Sequence, residues 1–273
     1  MKNILVATDF SPKATLATEV GISMAAQFKA DIHFLHVFHT PVDWTKLPKE
    51  HEGRFKEVRA NLAVAKGILA EAVSSAKNKG VEATSFVSYD HENMNVVQHI
   101  QSHKHDMVVI GAHSKLTVVD VLLGSVAISI IEHSPVPILM VDEADKFTAV
   151  ERVLVAVDTE MNAVGFVKRI STLFPDSQVK VNVFSVQTNT YSPSKKMIDG
   201  LNQFIRKQTG PNVTYEVVKA ASVEEGIIEK ANGNNGDLLV IGSNRFNRVA
   251  DYLRAHVFPS ISSSVRIPLL ILK

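Results

Sequence analysis

Ile4-Leu5-Val6-Ala7-Thr8-Asp9 and Val153-Leu154-Val155-Ala156-Val157-Asp158 carry one pattern twice, 149 residues apart. Each is an apolar, β-rich run closed by an aspartate. Outward from this pair the match continues. Ile32-His33-Phe34-Leu35-His36-Val37 parallels Val181-Asn182-Val183-Phe184-Ser185-Val186 at the same offset. Met107-Val108-Val109-Ile110-Gly111 parallels Leu238-Leu239-Val240-Ile241-Gly242, and Pro137–Val141 parallels Pro268–Leu272, now at an offset of 131. A repeat this long is a duplicated domain rather than a solenoid unit. The change of offset places an 18-residue loss in the second half, between its second and third strands. The extra first-half residues map near 39–56, around Pro41, Trp44 and Pro48. That stretch reads as a lid or a partner loop, with Trp44 packing on its own domain. The polar run Asp142-Glu143-Ala144-Asp145-Lys146 suits a linker. The expected domains are 1–143 and 150–273.

Short apolar runs at 3–8, 31–38, 83–88, 107–111 and 137–141 are nearly free of polar residues, as strands buried on both faces should be. Between them lie helical stripes. Leu16, Val20, Met24 and Phe28 recur every fourth residue, with Ser11 and Pro12 placed as N-cap and N1. Phe55 to Val73 forms a second stripe, Val96, Val97 and Ile100 a third, and Val126 to Ile131 a fourth. Strand–helix alternation predicts an α/β fold of two tandem five-stranded, doubly wound parallel-sheet domains. Ligands in such sheets bind at the carboxyl ends of the strands. The two closing strands should be sheet edges, so the halves are expected to dock as an internal pseudo-dimer. A further homodimer is left open.

Composition narrows the chemistry. The 273 residues include no cysteine, which excludes disulfides, thiolate metal sites and a cysteine nucleophile. Lys plus Arg is 29 against 28 for Asp plus Glu, so no charge excess favours nucleic acid or anionic membranes. The first apolar run is broken by Asp9, too early for a secretory segment, and the chain is expected to be cytoplasmic. Neither a G-x-S-x-G elbow nor a G-x4-G-K-[S/T] loop is present. No catalytic set emerges, and any hydrolytic activity should be slow.

The segment after the fourth run reads Gly111-Ala112-His113-Ser114, then Gly124-Ser125-Val126 after nine residues. Glycine lets backbone approach a phosphate, and the free N–H groups of Gly124, Ser125 and Val126 would open a helix N-terminus toward an anion. The competing reading is a strand-to-helix connection with Gly in turns and Ser as a cap.

These residues resemble the universal stress protein family, of the UspA type. Its nucleotide-binding members carry G-x2-G-x9-G-[S/T] after the fourth strand and an aspartate at the end of the first. Here the spacing is Gly111-x2-Ser114-x9-Gly124-Ser125, and the aspartate is Asp9 in Val6-Ala7-Thr8-Asp9. Leu35-His36-Val37 and Ser134-Pro135-Val136-Pro137 are also family-like. The resemblance spans both halves and implies a Rossmann-like fold of the adenine nucleotide α-hydrolase type. It implies ATP, ADP or AMP, with Mg supplied alongside, in the first half. Ala7, Thr8 and Asp9 would meet the ribose or adenine end, and the Val37 backbone the adenine. Gly111, Gly124 and Ser125 would surround the phosphates, with Ser114 and the Val126 N–H nearby. His113 lies inside the same loop, where contact with the ligand and a capping or solvent-facing role explain it equally well. Ser114 stands where the family has its second glycine, a departure that implies weaker or altered nucleotide binding. The second half departs further, reading Gly242-x2-Arg245-x9-Ala255-His256 beside a retained Asp158.

Two other function classes stay in view: a nucleotide-independent interaction scaffold, and an enzyme of the related hydrolase group. One further cluster stands apart. His99 and His103 share a helix face, with His105 and Asp106 following. Such a set can bind zinc or nickel. A helix C-terminus that favours basic side chains explains it as well, and no local sequence completes a ligand set.

Overall fold

The computed structural model describes the chain except residues 41–42, 45, 90–94, 112–129, 132, 143–146, 158–162, 175–177, 208–211, 234–235, 243–260, 262–263 and 273, and the side chains of Glu52 and Asn95. The first half supplies β1 (Asn3–Ala7), α1 (Pro12–Phe28), β2 (Asp31–Phe38), a 3-10 turn (Lys49–Arg54), α2 (Lys56–Asn78), β3 (Ala83–Tyr89), α3 (Asn95–Ser102), β4 (Met107–Gly111) and β5 (Ile138–Val141). The second supplies β6 (Arg152–Ala156), α4 (Ala163–Leu173), β7 (Lys180–Gln187), α5 (Lys195–Lys207), β8 (Asn212–Lys219), α6 (Val223–Asn232), β9 (Leu238–Gly242) and β10 (Leu269–Leu272). The expected alternation is therefore present in both halves.

Strand order is β3-β2-β1-β4-β5-β10-β9-β6-β7-β8 in one ten-stranded sheet. Pairing is parallel within each half and antiparallel where β5 meets β10. At that seam Ile138 faces Ile271, Leu139 faces Leu270 and Met140 faces Leu269. All six side chains are buried, so the two edges close on each other without exposing backbone donors. The end of α1 adds a second contact between the halves. The Gln27 side chain donates to the Val150 carbonyl at 2.7 Å and accepts from its N–H at 2.9 Å, and the Phe28 and Phe174 rings lie 5.4 Å apart.

Strand residues alternate between two cores. Ile4 and Val6 join the face covered by α1, α2, α4 and α5, whereas Leu5 joins the face covered by α3, α6 and Ile130–Ile131. α1 begins as its sequence predicts: Pro12 is its first residue, and the Ser11 side chain accepts from the Ala14 N–H.

The register corrects one expectation. Ile32 pairs with Ala83 and Val181 with Val213, so Ala83 and Val213 are equivalent positions 130 apart. The loss between second and third strands is thus 19 residues, with one regained before the fourth. It is also not confined to the loop. α2 runs 23 residues and α5 only 13, so the helix itself is shortened by more than two turns. Trp44 packs toward Phe55 and the small cluster of Phe38, Leu62 and Ala65, on its own half as expected. Among the described residues no helix is long and apolar enough to cross a membrane.

Candidate functional site

From β1 the chain winds to β2 and β3 on one side, then crosses to β4 and β5 on the other. Strand order reverses between β1 and β4, and this is where a doubly wound sheet opens a crevice at its carboxyl ends. Ala7 is the last residue of β1, with Thr8 and Asp9 next. Gly111 is the last of β4, and Val37 lies one residue from the end of β2. Five of the expected residues therefore converge at one end of three adjacent strands. His113, Ser114, Gly124, Ser125 and Val126 lie outside the described residues.

A chain of local bonds holds the turn after β1. The Thr8 N–H donates to the Leu35 carbonyl at 2.9 Å. Its own carbonyl lies 2.8 Å from His36 Nδ1, which must carry the proton because the carbonyl can only accept. Thr8 Oγ1 accepts from the Phe10 N–H at 3.1 Å, and Asp9 Oδ1 accepts from the Ser11 N–H at 3.0 Å. Phe10 takes a left-handed φ of 65°. That conformation costs on the order of 1–3 kcal/mol in a non-glycine residue. Its ring stacks on His36 at 4.1 Å, an offsetting contact that fixes where the exposed Asp9 sits. Burial pushes the His36 pKa below its ordinary value, against the opposing Thr8 hydrogen bond. The neutral ring that results matches its donor role.

Gly111 serves packing as well as any ligand. A β-carbon there would lie 2.6 Å from the Lys13 carbonyl carbon and 2.7 Å from the Ala14 nitrogen. The need is for close approach to the first turn of α1; Gly111 is not among the positive-φ residues. Lys13 consequently stands at the switch point. Its Nζ lies 3.8 Å from Asp142 Oδ1, both side chains largely buried. No spacing rule in the sequence points to Lys13, because its place depends on α1 crossing the end of β4.

The second half handles the same place differently. A β-carbon on Gly242 would overlap the Phe166 ring of α4, which is 8% exposed. An aromatic ring thus fills the space that α1 backbone borders in the first half. Asp158, Arg245, Ala255 and His256 lie outside the described residues.

At the opposite, amino end of the first-half sheet, histidines converge. His105 Nε2 lies 2.9 Å from His33 Nδ1, and the His99 and His103 rings stack at 4.0 Å. A Schellman turn aims His105 inward: Lys104 takes a φ of 51°, and the His105 N–H donates to the Ile100 carbonyl. Asp106 does not join them. Its carboxylate accepts from the Lys2 and Asn3 N–H groups at the start of β1. Nothing in the local sequence points to His33, since it lies on β2, 66 residues before His99.

The sequence model of the Universal stress protein family matches residues 1–142. The crystal structure of a universal stress protein from Archaeoglobus fulgidus superposes with a TM-score of 0.72 at 16% identity, covering 99% of this chain and 96% of that one. A functionally unknown protein from Pseudomonas aeruginosa PAO1 gives 0.53 at 13%, covering 100% and 92%. At these identities the likeness is one of fold. No curated protein matches the chain significantly. With the family model covering more than half its length, the chain belongs to the universal stress protein family.

Proposed function

We propose that the chain comprises two tandem domains, 1–143 and 150–273, and that the first binds an adenine nucleotide (ATP, ADP or AMP, with Mg carried by the nucleotide). The observation that carries this reading is the meeting of Asp9 and Gly111 across the switch point, with the Gly111-x2-Ser114-x9-Gly124-Ser125 pattern starting there. Asp9 holds the ribose end, the Val37 backbone the adenine, and the segment from His113 to Val126 the phosphates. Lys13 lies close enough to β4 to exchange Asp142 for a phosphate. The second domain, with Phe166 against Gly242, packs against the first as a degenerate partner in an internal pseudo-dimer.

In this reading the protein is a cytoplasmic stress or signalling component. Nucleotide occupancy shifts its surface only as far as the two states differ in affinity. Calorimetric titration of ATP, with and without Mg2+, into wild type and Gly124→Trp tests the site. Heat from wild type and none from a folded Gly124→Trp supports it. No heat from wild type under either condition overturns it. The second reading, a nucleotide-independent scaffold, is favoured by Ser114 standing where the family has glycine. Partner capture unchanged by nucleotide would select it.

A further inference from the structure

The second site that the molecule offers lies at the amino end of the first-half sheet. One potential ligand nitrogen each from His33, His99 and His105 falls within 4.8 Å of the other two. These residues come from three separate elements: β2, the last turn of α3, and the connection into β4. A tetrahedral zinc with bonds of 2.0–2.1 Å holds its ligand atoms about 3.3 Å apart, so adjustments of about 1 Å close the set. We propose that His33, His99 and His105 form a three-imidazole site for a divalent transition metal of the zinc type.

Several observations agree with that chemistry. His99 Nε2 is buried and has no hydrogen-bond partner among the described residues. An orphaned imidazole nitrogen is costly unless something ligates it. Burial, then the neighbouring imidazoles, pushes His99 down to about 4. Burial and His33 push His105 down to about 4 as well. Both rings are therefore neutral at neutral pH, with a lone pair to give. Asp31 and Asp106 lie near enough to exert an opposing pull on His33 and His105, and they supply countercharge to a bound dication. The exposed His103 stacks on His99, so water from that side can complete the coordination. Two neutral rings carry two protons, one of them between His105 Nε2 and His33 Nδ1. Binding shifts that proton to the remote nitrogen of the ring that donates it, so that each ring then holds its single proton away from the metal.

The duplicated half is an internal comparison. By the same offsets, Asn182, Glu216, Lys230 and Gly236 take the places of His33, Phe86, His99 and His105. There Lys230 donates to Glu216 at 2.6 Å, beside an open cavity of about 350 Å³. The fold thus does not require imidazole at these positions. The ligand set belongs to the first half alone.

Zinc titration of the metal-stripped full chain, without nucleotide, tests the site by calorimetry and thermal unfolding. Wild type should take up one tightly held Zn2+ and unfold at a higher temperature as free Zn2+ rises. His33→Asn, the residue that stands at the equivalent place as Asn182, and His99→Gln should each weaken binding at least about tenfold, the lower bound for losing even an outer-shell partner. Equal binding by wild type and a folded double variant would overturn the proposal, because other histidines would then account for it. Should a variant fail to fold, the spectrum of Co2+-loaded wild type decides. A tetrahedral, nitrogen-ligated signature supports the site, and an octahedral one overturns it. The two sites lie at opposite strand ends, so binding ATP without zinc sinks this inference alone, and the converse sinks only the nucleotide reading.

Discussion

The Cα of Gly111 stands so close to Lys13 that a β-carbon would sit 2.6 Å from the lysine carbonyl carbon. Backbone cannot yield as a flexible side-chain tip can. Gly111→Ala should therefore push α1 off β4 and cost about 1–3 kcal/mol, read as a lower denaturant midpoint with unchanged slope. The same displacement moves Lys13 and the turn carrying Asp9, so nucleotide affinity should fall with it.

Gly67 lies within α2, and a β-carbon added there would meet nothing within 4 Å. Gly67→Ala should move stability the other way, by about 0.5–1 kcal/mol, through helix propensity alone. A loss of stability in an unfolding titration would contradict the α2 assignment.

Leu139 and Leu270 face each other across the antiparallel seam, both fully buried. Each change to alanine should cost about 2–5 kcal/mol. Because the side chains share one patch of core, the double variant should depart from additivity by about 0.5–3 kcal/mol. Strict additivity in a double-mutant cycle would contradict the seam.

His36 links the Asp9 turn to pH. Burial lowers its folded pKa from the ordinary 6.5, with His39 lowering it further and Asp9 and the Thr8 carbonyl opposing. The unfolded chain therefore binds the proton first as pH falls. The contribution of neutral His36 is complete above about 6.5 and is lost as pH drops toward the folded value. An NMR titration should place the His36 midpoint below 6.5, and His36→Gln should flatten the stability loss in that window.

Much of the fold is legible in the sequence, for identifiable reasons. Buried parallel strands such as Ile4–Ala7 and Met107–Gly111 leave unbroken apolar runs, and Ser11-Pro12 marks a helix start in two residues. Periodicity does not report where paired elements end, so the shortening from 23 residues in α2 to 13 in α5 reads in sequence as a shorter loop. The histidine cluster is half visible: His99 and His103 lie one helical turn apart, but His33 reaches them only through the β1–β2–β3 pairing. Asp106 resembles a fourth ligand by adjacency alone. Its actual role, receiving the first amides of β1, recurs in Asp237, which accepts from the Glu151 and Arg152 N–H groups. Lys13 carries no sequence signal, because its position follows from the side chain that Gly111 lacks.

The central claim is one nucleotide site in a chain of two similar halves. Calorimetric stoichiometry of ATP binding to the intact protein tests it most directly, with Asp9→Ala as the paired variant. The expected result is one ATP per chain for wild type and a clear loss of affinity in a folded Asp9→Ala. Two equivalents per chain, or one that survives Asp9→Ala unchanged, would contradict the assignment of the site to the first half.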